Sequence, residues 1–179
     1  MNNFTAEHTQ FWWKELLKNE EKFNRWLQKL YRTELSGYTD HMRYLSTSGA
    51  IEERTAKILT NIALDELKHS HIIKDLLSDR GCDLGNPEES QYWKIVNAGV
   101  TNLSEYCAVN HFGEQIAAFR FEVIEAMEET PSDIKKALQI ILPDEQFHKI
   151  TLEKIAGKES LDKMIVHHNL AVQTLRNSK

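Results

Sequence analysis

Two segments of the sequence share one pattern: Asp65-Glu66-Leu67-Lys68-His69 and Asp144-Glu145-Gln146-Phe147-His148. Both read D-E-x-x-H, and they contain every Asp-Glu dipeptide of the chain. From the numbers of Glu and His, the spacing E-x-x-H is expected about 0.85 times by chance, and about 0.04 times when an Asp must precede it. Because residues three apart lie on the same face of an α-helix, the Glu and His of each segment can bind one metal ion.

Two more glutamates stand at matching distances before these segments. Glu34 lies 32 residues before Glu66, and Glu114 lies 31 residues before Glu145. If helices turn back near residues 48 and 130, the members of each pair lie at nearly the same depth in an antiparallel hairpin. At 1.5 Å per residue the mismatch is about 1.5–6 Å, which is about one helical turn or less. Three other acidic residues lie at depths that fit less well: Asp40, Glu105 and Glu122.

The composition predicts one soluble domain covering residues 1–179. Hydrophobic residues make up 41% of the chain and charged residues 27%, which is typical of a globular protein. Seven Gly and three Pro are too few for the many turns of a β-sandwich or barrel. The net charge of −5, with acidic and basic residues interleaved, argues against a nucleic-acid-binding surface.

The cysteine pattern, the chain start and the lack of a long apolar stretch predict a cytoplasmic protein. Cys82 and Cys107 lie 25 residues apart without a CxxC pattern, so neither a zinc knuckle nor a disulfide framework is indicated. The first ten residues lack the basic and then apolar run of a signal peptide. No stretch approaches 18 uninterrupted apolar residues, so we expect no membrane partner.

Apolar residues recur with the 3.6-residue period of amphipathic helices along nearly the whole chain. The predicted helices span residues 4–20, 21–45, 51–79, 100–129, 132–155 and 159–176. Residues 80–99 form a crossover with a short helix at 91–96, because a shorter loop could not return along the length of a bundle. Pro143 removes a backbone hydrogen bond two residues before Glu145 and should kink or restart its helix.

The repeated E…DExxH pattern over residues 21–157 resembles the ferritin-like di-iron carboxylate superfamily. The resemblance implies an all-α four-helix bundle with a long crossover between helices two and three, flanked here by additional N- and C-terminal helices. It also implies a metal site in which carboxylates and imidazoles converge from four helices: Glu34, Glu66, His69, Glu114, Glu145 and His148. Four carboxylates and two imidazoles suit two iron ions, with manganese or a mixed iron–manganese pair as alternatives.

The same resemblance implies roles for the aspartates that precede the two motif glutamates. Asp65 would hydrogen-bond His148, and Asp144 would hydrogen-bond His69, which fixes the tautomer of each imidazole. Tyr38, four residues after Glu34, is either a redox-active residue or a packed aromatic. His111, three residues before Glu114, is a ligand, a hydrogen-bond donor near the site or a buried polar residue.

The other histidines and the N-terminal aromatics carry no ligand pattern. His41 is expected outside the metal site, and four histidines are expected on the surface: His8, His71, His167 and His168. The aromatics Phe11, Trp12 and Trp13 indicate a core or a subunit interface, and we expect a homodimer or a higher homo-oligomer.

Three functions fit these features. The first is a di-iron oxidoreductase that uses O₂ or peroxide together with a small-molecule substrate or electron donor. The second is an iron-binding, ferroxidase or peroxide-removing protein of the ferritin or rubrerythrin kind, although the chain has no CxxC iron domain. The third is a metal-free helical partner protein. An oxygenase also needs an apolar pocket beside the metals, to which six residues could contribute: Ile62, Ala63, Ala117, Ala118, Phe121 and Phe147.

Overall fold

A computed structural model describes residues 5–87 and 90–177, together with the side chains as far as residue 174. These residues form six helices and no strand, so the predicted all-α class is confirmed. None of the described helices is long and apolar enough to cross a membrane. The helices are α1 (Ala6–Leu17), α2 (Glu20–Thr47), α3 (Glu53–Asp79), α4 (Gln91–Asn97), α5 (Leu103–Ala126) and α6 (Ser132–Asn177).

Side-chain caps set the starts of several helices. The Asn19 side chain accepts a hydrogen bond from the Lys22 amide at 2.9 Å, and α2 begins one residue later. The short crossover helix predicted at 91–96 is α4, which follows the capping side chain of Ser90. The next helix begins at Leu103, slightly later than predicted, because the Asn102 side chain caps it through the Glu105 amide at 3.0 Å.

Helix α6 passes through Pro143 and bends at Gly157. Gly157 has φ 70° and ψ 163°, so the helix that carries Glu145 and the final helix separate there, as the sequence predicts. Of the two effects predicted for Pro143, the restart is wrong, since the backbone stays helical at that residue, and the kink stays a prediction.

The described residues fall into two compact units. The first unit contains residues 11–87 and 128–141. Its core forms where α2 packs along α3, and it buries residues that recur at helical spacing: Leu27, Leu59, Ile62, Ile73 and Leu77. Burying each such side chain contributes about 1.5–3 kcal/mol.

Aromatic residues pack against one another in one part of the first unit. Trp13 is fully buried, and its ring lies 4.9 Å from that of Trp26 and 5.8 Å from that of Phe23. Its indole N–H donates a 2.7 Å hydrogen bond to the Thr130 hydroxyl. Of the two roles predicted for this aromatic group, Trp13 has the core role, whereas Phe11 is 69% exposed and for it a subunit interface stays a prediction.

The second unit contains residues 5–10, 90–127 and 142–177. Its core combines residues of α4, α5 and α6 that are almost fully buried: Val96, Ala108, Val109, Leu152 and Met164. The Trp93 indole lies so close to Gly113 that a Cβ at position 113 would be 2.5 Å from its Cη2 atom. The absence of a side chain at Gly113 is therefore what allows α4 to approach α5.

Candidate metal site

The first unit contains three of the predicted ligands, which we call the first triad: Glu34 of α2 with Glu66 and His69 of α3. Each offers a ligand atom, and these atoms lie within 4.8 Å of one another. All three side chains are buried, and His69 Nδ1 lies 3.4 Å from Glu34 Oε2. Glu66 and His69 share a helix face because they are three residues apart, and the antiparallel pairing of α2 with α3 adds Glu34.

The second unit contains the other three, which we call the second triad: Glu114 of α5 with Glu145 and His148 of α6. Their ligand atoms also lie within 4.8 Å of one another. Glu145 is 2% exposed and His148 is fully buried, while Glu114 is half-buried. The sequence spacing thus brings a glutamate to the E-x-x-H motif in each unit.

Gly37 forms part of the wall of the first triad. It lies three residues after Glu34 on α2, and a Cβ built at position 37 would be 2.9 Å from Glu66 Oε2. The Glu66 carboxylate therefore occupies space that any other residue at position 37 would fill. This contact was not predicted from the sequence, although a glycine in a helix, one turn from a candidate ligand, is a signal for it.

The donors of each triad fit a divalent metal ion. Each set supplies two carboxylates and one imidazole, a combination that suits iron and manganese. Burying two carboxylates within 4.8 Å of each other is costly unless a positive charge lies between them. A cation held by such a triad balances the negative charge and is coordinated by the imidazole. Each triad is therefore a candidate metal site.

His111 belongs to neither triad, although it lies on α5 one turn before Glu114. Its Nδ1–H donates a 2.8 Å hydrogen bond to the backbone carbonyl of Lys149, the residue after His148. This contact fits the second of the three roles considered for His111, a hydrogen-bond donor beside the site. It ties α5 to the segment of α6 that carries two candidate ligands.

The remaining candidates lie outside the triads. Tyr38 is half-buried. The Asp65 carboxylate oxygen Oδ1 lies 3.8 Å from Lys68 Nζ on the same helix. The proposed hydrogen bonds from Asp65 and Asp144 to the motif imidazoles stay predictions. Phe147 is 60% exposed, so its predicted place in an apolar pocket beside the metals is wrong.

A cavity of about 380 Å³ lies near the connection between α2 and α3, lined in part by Met42 and Ile51.

His168 is buried, which corrects its predicted surface position. Only 3% of it is exposed, and its Nδ1 lies 2.9 Å from the Tyr92 hydroxyl. A signal for this was present in the sequence, since His168 shares helical spacing with the buried Met164 and Ala171. The partner Tyr92 could not be identified that way, because it lies 76 residues earlier, in the crossover.

The fold and the triads together define a helical carboxylate protein with candidate metal sites. A family model described as rubrerythrin matches residues 27–156, a range that contains all six predicted ligands. Because the match covers most of the 179 residues, the chain belongs to the rubrerythrin family, and the ferritin-like fold predicted from the two motifs is confirmed. No curated protein and no solved structure gives a significant match.

Proposed function

We propose that the chain is a non-haem di-iron oxidoreductase that reduces dioxygen or peroxide, with each triad holding one of two iron ions. The observation that carries this proposal is a Glu-Glu-His set in each unit with its ligand atoms within 4.8 Å of one another. Membership of the rubrerythrin family supports iron as the metal. The electrons come from an external donor or from a small-molecule substrate.

The roles of the residues follow from their chemistry. Glu34, Glu66 and His69 hold one ion, and the second triad holds the other. Four carboxylates balance the charge of two dications. Bound iron supplies the change of oxidation state that the reduction of dioxygen or peroxide requires, which these side chains cannot supply themselves.

The protein positions the ligands and excludes water from the metal sites. The buried carboxylates of Glu34 and Glu66 and the buried imidazole of His69 keep bulk solvent from the first site. Gly37 fixes where the Glu66 carboxylate can lie. His111 holds the backbone at Lys149 and thereby the helix segment that carries His148. Such partners of ligands typically change metal affinity by about 10–100-fold when they are replaced.

Iron loading of the anaerobic protein tests the ligand assignment. We expect two irons per chain in the wild type, about one in His69→Ala or His148→Ala, and none in the double variant. The helical circular dichroism should persist in all of them, because most of the core lies outside the triads. His71→Ala is the matched control, since His71 is exposed and lies on the same helix as His69. Full iron occupancy in the double variant would contradict the assignment.

Exposure of the reduced, iron-loaded protein to dioxygen or peroxide tests the activity. We expect consumption of the oxidant together with oxidation of the bound iron, and neither change in the double variant. Bound iron that does not react with either oxidant would contradict the proposal. Uptake of many irons per chain into a large shell, measured by light scattering and metal analysis, would instead indicate an iron-storage protein.

A further inference from the structure

A buried aromatic group of the second unit lies beside the helix that carries Glu114. Tyr92 and Trp93 belong to α4, Phe112 to α5, and His168 to the part of α6 that follows Gly157. Tyr92 is 5% exposed, and its hydroxyl lies 2.9 Å from His168 Nδ1. The His168 ring stacks on Phe112 with the ring centroids 4.7 Å apart. His168 lies beyond residue 156, where the family match ends, while Tyr92 lies within it.

The buried environment keeps both Tyr92 and His168 uncharged at neutral pH. Burial raises the pKa of the Tyr92 phenol well above its usual range, and the negative charge of Glu114 raises it further. Burial also lowers the pKa of His168 to about 4. At neutral pH the phenol therefore keeps its proton and the imidazole is neutral. In one of the two neutral tautomers of His168, the Tyr92 O–H donates to Nδ1 and the imidazole hydrogen is on Nε2.

Aromatic contacts connect this pair to the helix of the second triad. The Tyr92 and Trp93 rings meet edge to face with their centroids 5.1 Å apart. Trp93 lies directly on Gly113, the residue before Glu114. Tyr92 is thus a buried, hydrogen-bonded phenol, and its neighbour Trp93 contacts the helix one residue before a carboxylate that we assign to an iron ion.

We propose that Tyr92 is a one-electron donor to the metal centre after peroxide or dioxygen has oxidised it, with His168 as the acceptor of the Tyr92 proton. This inference rests on the proposed function. In the step, the Tyr92 O–H bond breaks, one electron passes to the oxidised metal centre and the proton moves to His168 Nδ1. The products are a neutral phenoxyl radical at Tyr92, an imidazolium at His168 and a centre reduced by one electron. An external one-electron donor restores Tyr92, to which His168 returns the proton.

The hydrogen bond to His168 is what makes this step favourable. Loss of an electron alone would leave a buried phenol cation, and an uncompensated charge in an apolar interior is costly. Loss of an electron makes the phenol strongly acidic, so that even an imidazole of low basicity accepts the proton. The proton needs only to move along the existing 2.9 Å contact, so no rearrangement of the core is required.

The structure of the pair can be tested without metal. Nitrogen NMR of the metal-free protein should show that His168 Nδ1 carries no hydrogen and accepts a hydrogen bond at neutral pH. Tyr92→Phe should remove that hydrogen bond and shift this nitrogen resonance, while Tyr106→Phe, a matched change at another buried tyrosine of the second unit, should leave it unchanged. An Nδ1 that carries the hydrogen in the wild type would overturn the proposal.

The electron-transfer step is tested by freezing the reduced, iron-loaded protein shortly after the addition of hydrogen peroxide and recording electron paramagnetic resonance spectra. We expect a tyrosyl radical in the wild type and in Tyr106→Phe, and none in Tyr92→Phe. His168→Phe keeps an aromatic ring but removes the proton acceptor, so the radical yield should fall at least about tenfold. Iron content and peroxide consumption, measured on the same samples, report on the proposed function separately.

The outcomes separate the two proposals. If the wild type binds two irons and consumes peroxide but forms no tyrosyl radical, the proposed function stands and the role of Tyr92 is refuted. A radical that survives Tyr92→Phe, or that disappears in Tyr38→Phe instead, also refutes it. If the wild type binds no iron, the proposed function fails, and the inference about Tyr92 fails with it.

Discussion

Gly37 and the Glu66 carboxylate occupy adjoining space, since a methyl group at position 37 would lie 2.9 Å from Glu66 Oε2. In an ordinary helix, Gly→Ala stabilises a protein by about 0.5–1 kcal/mol. At position 37 the same methyl group must displace a carboxylate that we assign to a metal ion. The glycine therefore connects helix packing in the first unit to the position of a candidate ligand.

Gly37→Ala should weaken iron binding by about 10–100-fold while leaving the helical content unchanged. Titration of iron against a competing chelator measures the effect. Gly49→Ala is the control, because a Cβ at Gly49 meets no atom within 4 Å, and its affinity should equal that of the wild type. Equal affinity in Gly37→Ala and wild type would show that Glu66 can shift without loss, or that it is not a ligand.

An ion pair between the buried Glu105 and the exposed Lys163 in the second unit predicts acid sensitivity. Lys163 and Thr101 hydrogen-bond the Glu105 carboxylate and lower its pKa from 4.5 to about 2. In the unfolded chain the carboxyl takes up a proton at higher pH than in the folded protein. Its stabilising contribution is therefore complete above about pH 4.5 and is lost as the pH falls from 4.5 towards 2.

Glu105→Gln should accordingly be less stable than the wild type at pH 7, and the difference should narrow as the pH falls below about 4.5. Urea unfolding at a series of pH values provides the measurement. Glu153→Gln, an exposed carboxyl of the same unit, should change the stability by no more than about 0.5 kcal/mol. A difference between Glu105→Gln and wild type that stays constant with pH would contradict the role given to this ion pair.

The buried His168 imidazole predicts a second dependence of stability on pH, at higher pH than that of Glu105. Its pKa is lowered from 6.5 to about 4 by burial, so the unfolded chain binds a proton more readily between these values. The stability of the wild type should fall as the pH falls from 6.5 towards 4. In His168→Phe this component is absent, and thermal unfolding should show a smaller loss over the same range. An equal loss in both proteins would show that the pKa of His168 is the same in the folded and the unfolded chain, which contradicts the effect of burial.

Much of the fold could be predicted from the sequence because helical periodicity is local. The crossover helix predicted at 91–96 is α4, Gln91–Asn97, and the break before the last helix falls at Gly157. Helical spacing also predicted which glutamate lies beside each E-x-x-H motif. It could also have placed Phe147 correctly, since that residue lies about 100° from His148 and 200° from Glu145 around the helix.

The remaining features depend on how closely the helices approach one another, which the helical periodicity of the sequence does not specify. The contact of Gly37 with Glu66 follows from how closely α2 and α3 approach each other. The pairing of His168 with Tyr92 depends on where the crossover helix packs, which no repeat in the sequence specifies. Pro143 does not restart α6, because whether a proline ends a helix in the folded chain also depends on tertiary packing, which the local sequence does not specify.

The hydrogen bond between Trp13 and Thr130 anchors the N-terminal helix in the first unit. The Trp13 indole is fully buried and donates to the Thr130 hydroxyl at 2.7 Å, across 117 residues of sequence. Thr130→Val keeps the shape of the side chain but removes this acceptor. It should cost about 1–3 kcal/mol, the usual penalty for depriving a buried polar group of its partner.

For a chain of this length, that loss corresponds to a fall in Tm of about 2–4 °C for each kcal/mol. Thr130→Ser is the matched variant, because it keeps the hydroxyl and removes only a methyl group, at a cost of about 1 kcal/mol or less. Thermal unfolding followed by circular dichroism compares the two. If Thr130→Ser lowers the Tm as much as Thr130→Val, the methyl group and not the hydrogen bond stabilises this contact, and the anchoring of α1 rests on the packing of Trp13 against Phe23 and Trp26.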